Sequence, residues 1–109
     1  MAGSRAAAVS GRLEPVGGDG AYALSGTAGF ATARQLLEQG RLAFAGKSKV
    51  ELDLAGVDSI DSAGLALLLC WLAEARADGR ALKLHNLPAQ LSAIARISDV
   101  EALLADGIG

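Results

Sequence analysis

The sequence predicts an α/β domain whose mixed sheet of four to five strands carries helices mainly on one face. Three observations lead there. Residues 50–54 (VELDL) and 81–85 (ALKLH) alternate apolar and polar side chains, the period of a half-buried strand. Between them a strongly apolar helix is expected over residues 62–77, closed by Asp78-Gly79, where glycine takes the left-handed cap conformation. The whole order reads ββ-α-β-α-β-α(α), and strands joined through helices imply parallel neighbours.

Each element has its own signal. Residues 1–11 are small and polar without periodicity, so a flexible tail is expected ahead of one domain over residues 12–109. Residues 12–16 and 21–25 read as short strands around the turn Gly17-Gly18-Asp19-Gly20, and Pro15 puts the first of them at an edge. Residues 26–29 form a turn. A helical pattern starts at about Phe30 and runs through Ala33, Leu36, Leu37, Ala43 and Phe44. Gly40 interrupts it at a cost of about 1 kcal/mol relative to Ala and is the expected breaking point. Residues 46–49 are a polar turn, and residues 55–60 read as a loop. Pro88 suits the first turn of a helix with Leu87, Leu91, Ile94 and Ala95 on one stripe. Ser98 and Glu101 fit a capping box opening a last helix over residues 100–105.

Composition narrows the chemistry. The chain is 51% apolar and 20% charged, which is the balance of a folded domain. A net charge of −2 leaves no basic surplus for a nucleic-acid backbone. One cysteine, Cys70, excludes an intramolecular disulfide, and one histidine, His85, excludes a multi-histidine metal site. No cofactor is expected, and the shortage of catalytic side chains points away from an enzyme. The longest uncharged apolar run, residues 63–73, falls well short of the ~20 residues of a membrane span. The N-terminus lacks the apolar segment of a signal peptide, so a soluble cytosolic chain with a reduced thiol is expected.

Several motifs carry little. Ala45-Gly46-Lys47-Ser48 looks like the end of a phosphate-binding loop, but that motif needs Gly at position 41, which is Arg. It also precedes a strand instead of following one, so a plain turn is the better reading. His85 ends a strand with no second ligand near it in sequence, and reads as a partly buried polar cap. Cys70 lies mid-helix, where nothing lowers a thiol pKa, and reads as packing or interface.

The informative stretch is residues 57–69 (VDSIDSAGLALLL). The apolar helix opens at Asp61-Ser62, and either side chain can cap its first N–H groups. A phosphate on Ser62 would be held by those same N–H groups and the helix dipole. On a helical wheel, Leu65, Leu68, Leu69 and Leu72 form the stripe expected to pack on the sheet. That places Ala63, Leu67, Cys70, Trp71, Glu74 and Asp78 outward. An exposed Trp beside a helix start would mark a partner surface.

The strand ending Asp53-Leu54, followed by Val57 and Asp61-Ser62-Ala63-Gly64-Leu65, resembles the signature of STAS domains, the fold of anti-sigma factor antagonists and of the cytoplasmic tails of anion transporters. The element order agrees over about residues 12–106. The resemblance implies a STAS-like fold with Ser62 in the phosphoacceptor position of the anti-sigma factor antagonists. A narrower likeness rests on residues 64–69 with Trp71-Leu72, on Leu87-Pro88, Leu91 and Ile94-Ala95, and on Thr32-Ala33, Leu36, Gly40 and Phe44. It is to MlaB-type STAS subunits of the Gram-negative inner-membrane ABC complex that moves phospholipid and maintains outer-membrane lipid asymmetry. It implies a non-enzymatic, cytoplasmic subunit, held at the inner membrane by a MlaF-like ATPase and not inserted in it. The implied contacts are Asp61, Ser62, Ala63, Gly64, Leu67, Cys70, Trp71 and Glu74. The alternative is an anti-sigma factor antagonist switched when a partner kinase phosphorylates Ser62.

Overall fold

The computed structural model describes residues 10–105, with the side chain of residue 105 left out. Residues 1–9 of the expected tail lie outside the described residues. Gly11, assigned to the tail from sequence, instead opens the first strand, β1 (Gly11–Pro15). β2 (Ala21–Ala28) follows the Gly17–Gly20 turn and pairs with β1 antiparallel, placing Leu13 opposite Leu24. Helix α1 (Ala33–Phe44) leads to β3 (Lys49–Ile60), helix α2 (Ser62–Ala77) to β4 (Ala81–His85), and helices α3 (Ala89–Ile97) and α4 (Glu101–Ala105) close the chain. The four strands lie in the order β1-β2-β3-β4, with β2, β3 and β4 mutually parallel. β1 is an edge strand, where the missing N–H of Pro15 costs no ladder bond.

Register makes the sheet two-faced. Tyr22, Leu52 and Leu84 align across three strands and are buried, as are Val50 and Leu82 beside them. The rows between them, Ala21-Glu51-Lys83 and Ala23-Asp53-His85, point the other way and stay half-exposed. The buried face meets Leu36 and Phe44 of α1, Leu65, Leu68 and Trp71 of α2, and Leu91 and Ala95 of α3 in one continuous core. The expected mixed sheet with helices on one face is therefore observed.

Four further local readings change. Residues 55–60 are strand, not loop: β3 runs on to Ile60, with two register shifts against β2, at Ala23/Ser25 and Gly26/Thr27. At each shift β3 advances one residue more than β2, and such bulges destroy the alternation that marks a strand in sequence. β2 likewise continues through Gly26 to Ala28. Gly40 does not break α1. It lies where a Cβ would fall 2.3 Å from Nε1 of Trp71, so its missing side chain is the seat of the indole. The last helix forms over Glu101–Ala105, while Ser98, proposed as its cap, instead closes α3, its N–H donating to the Ile94 carbonyl.

Candidate functional site

The start of α2 stands at the C-terminal end of β3, with one residue, Asp61, between them. Asp61 alone is the cap. In extended conformation (φ −125°, ψ −169°), its Oδ1 accepts the N–H groups of Ala63 at 2.8 Å and Gly64 at 3.1 Å. Its Oδ2 accepts the N–H of Phe30, 31 residues away, at 3.1 Å. Partial burial by itself would raise the Asp61 carboxyl, but these backbone donors outweigh it and hold its pKa below the ordinary aspartate value. A second tie comes from α3, where Gln90 Oε1 accepts the N–H of Ile60 at 3.2 Å. Gly64 is buried with no room for a side chain, since a Cβ would stand 1.9 Å from the Ala28 carbonyl oxygen. Only glycine lets the helix start this close to the end of β2.

Ser62 is exposed, and its hydroxyl makes no hydrogen bond among the described residues. It is therefore not the cap. The expectation that a phosphate on Ser62 would find the first-turn N–H groups changes too, because Asp61 already occupies those of Ala63 and Gly64. A phosphate there would stand beside a carboxylate of the same sign.

The helix is turned from the sequence expectation. Leu67 and Trp71, expected outward, are 3% and 1% exposed. The buried set is Gly64, Leu65, Leu67, Leu68, Trp71 and Ala75, while Leu69 and Leu72, expected inward, are only half-buried. At ~100° per residue this is a rotation of roughly 70°. The cause is Trp71, whose ring sits edge-on to Phe44 at 5.4 Å, over Gly40, with Nε1 donating to the Leu37 carbonyl at 3.4 Å. Leu67, Trp71 and Gly64 are thus core residues and are withdrawn as contact residues. Of the remaining candidates, Asp61, Ser62 and Cys70 are exposed, and Ala63 is half-buried. Glu74 is half-buried and takes two hydrogen bonds from Arg41, at 2.6 and 2.9 Å. The exposed positions are Ser62, Ala66, Cys70, Ala73, Arg76 and Ala77, all small except Arg76 in the last turn.

Sequence reasoning missed Phe30. The sequence pattern starts the helix at about Phe30, yet Phe30 precedes α1 and is 88% exposed. Thr32 was the available signal: as the N-cap residue of α1 it puts Phe30 outside the helix.

The other motifs lie apart from this site. Gly46-Lys47-Ser48 follows α1 as a turn at the far end of α2, where Lys47 pairs with Asp19 at 2.7 Å and its carbonyl accepts from Arg80. His85 is on the open face of the sheet, hydrogen-bonded to Glu51, whose carboxyl it holds below the ordinary value. Among the described residues no cluster of His, Cys, Asp or Glu could hold a metal ion, and no helix is long and apolar enough to cross a membrane.

A mixed four-stranded sheet with a capped helix start exposed after its third strand is the architecture of the STAS class. The anti-sigma factor antagonist SpoIIAA in its unphosphorylated form matches with a TM-score of 0.61 at 16% identity, over 81% of this chain and 83% of that one. A sulfate transporter family protein from Wolinella succinogenes matches with a TM-score of 0.61 at 24% identity, over 89% and 80%. At such identities the likeness shows the fold. Among curated proteins none matches the chain in sequence. The family model described as "Mlab, STAS domain" matches residues 12–105, and the chain belongs to that family. STAS domains are in general regulatory, non-enzymatic domains that act through protein–protein contacts.

Proposed function

We propose that this chain is the STAS subunit of an inner-membrane ABC transporter for phospholipid, docked on the cytoplasmic ATPase through the start of α2. The observation that carries this reading is the MlaB-type family match over nearly the whole described chain. The site suits it: Ser62, Ala66 and Cys70 present small side chains on a helix end that Asp61 caps, where a partner backbone can approach closely. Such a subunit needs no chemistry of its own. If it binds one conformation of the ATPase better than another, it shifts that equilibrium by the difference in affinity. It would sit at the cytoplasmic face of the membrane through its partner alone, and maintenance of outer-membrane lipid asymmetry would be the physiological output. Co-purification of the chain with a MlaF-like ABC ATPase from the same organism tests this. A stable complex that raises ATPase turnover or ATPase solubility is expected; no complex with the chain in excess overturns it.

One observation favours a second reading. The exposed, unbonded Ser62 hydroxyl is open to a kinase, which suits an anti-sigma factor antagonist. Incubation with a cognate anti-sigma kinase and ATP, followed by mass spectrometry, separates the two readings: a phosphate on Ser62 that releases a bound anti-sigma factor supports the second.

A further inference from the structure

Three of the four aromatic side chains form one buried chain. Tyr22, Phe44 and Trp71 meet edge-to-face with ring centroids 5.2 and 5.4 Å apart. The fourth, Phe30, is left in solvent, yet the loop that carries it is tightly held. Phe30 N–H donates to Asp61 Oδ2. Gly29 N–H donates to Thr32 Oγ1 at 3.0 Å, and that buried hydroxyl donates to the Thr27 carbonyl at 2.8 Å. Gly29 packs so closely on the cap that a Cβ would lie 2.7 Å from Asp61 Oδ2. The carboxylate that starts α2 thus also fixes the loop bearing the exposed ring.

An exposed aromatic on a loop already ordered loses little freedom on binding, the condition for an interface anchor. We propose that Phe30 is the anchor of the docking face that contains Ser62, seated in an apolar pocket of the protein partner, and that Asp61 is its positioning residue. The inference rests on the docking reading above. A protein pocket is the fitting occupant because the exposed charges next to the loop and the cap, Asp58 and Asp61 against Arg34, leave a net −1 that gives no attraction to an anionic lipid surface.

The test is calorimetric binding of the full chain to the ABC ATPase, with thermal melts and hydrogen exchange on each variant. Phe30→Ala is expected to weaken binding about tenfold or more with an unchanged melt, and Phe30→Leu to recover part of the loss. Asp61→Ala is expected to weaken binding and speed exchange of the Phe30 amide, with Asp61→Asn milder in both. The Phe30→Ala/Asp61→Ala double variant should bind within about threefold of Phe30→Ala, since Asp61 acts through the ring. Full additivity removes Asp61 as the positioning residue. Binding of Phe30→Ala within about twofold of the parent overturns the anchor while the docking reading stands. If the parent chain does not bind at all, the docking reading falls and the anchor with it.

Discussion

The two faces of α2 differ in size more than in polarity. Inward it presents Leu65, Leu67, Leu68 and Trp71; outward it presents Ser62, Ala66, Cys70, Ala73 and Ala77, with Arg76 exposed only in the last turn. Until Glu74 no charged side chain marks either face. Hydropathy therefore cannot decide which way such a helix points. Volume can, because the core takes the large residues for which it has complementary space, and Gly40 is that space for Trp71. What remains outside is a smooth strip, suited to a close-packed partner and costing little to leave in water.

The largest test of this contrast is Trp71→Ala. With the indole buried against Phe44 and Gly40, the substitution should cost about 3–5 kcal/mol of stability in urea unfolding. A loss under 1 kcal/mol would return Trp71 to the surface and invert the two faces. Gly40→Ala is the next in size. Helix propensity alone would favour it by about 1 kcal/mol, but the new methyl falls on the indole, so a net loss of about 1–3 kcal/mol is expected. In the Trp71→Ala background the clash is gone and the same change should turn neutral or stabilising. Equal effects in both backgrounds would break the pairing.

These two residues also mark where the sequence stops being legible. α2 and β4 have the ends expected of them because a cap, a glycine stop and strict alternation are local signals. The far half of β3 was hidden because two bulges shift its phase. Gly40 looked like a breaker because its local cost is visible, while its tertiary use lies 31 residues away at Trp71. The Asp61–Phe30 bond likewise joins distant segments, so Asp61 was readable as a cap but not as a link to the β2–α1 loop. The family signature points to the start of α2 as the candidate site, and packing decides which of its residues face outward.

Asp61 tests the polar end of the outward face, with a smaller effect. Removing the cap by Asp61→Ala should cost about 1 kcal/mol at pH 7. Its folded-state pKa lies below the unfolded one, so its contribution is complete above about pH 4 and fades as pH falls through the depressed value. The gap between parent and Asp61→Ala should therefore narrow in urea melts taken progressively below pH 4. Glu51 and Asp53, also depressed, make both proteins less stable there without closing that gap. A gap constant from pH 7 to pH 2.5 would show that the ionised carboxylate is not what holds the helix start.

The smallest expected effect on stability, and the sharpest on docking, belongs to Ser62→Asp. The residue is exposed and its hydroxyl unbonded, so the parent loses no internal contact. A carboxylate in the first turn gains from the helix dipole, while Asp61 next to it opposes the gain; the sum should stay within about 0.5 kcal/mol. Inside a packed interface the balance is different. The new charge must leave water beside a second carboxylate, which costs several kcal/mol unless the partner meets it with a cation. Ser62→Thr keeps the oxygen and adds one methyl, and should dock nearly as the parent does. The expected pattern is thus an unchanged melting curve for Ser62→Asp together with loss of the ATPase from a co-purification in which Ser62→Thr retains it. Undiminished capture by Ser62→Asp would take Ser62 out of the contact and move the docking face further along the strip, toward Cys70 and Ala73.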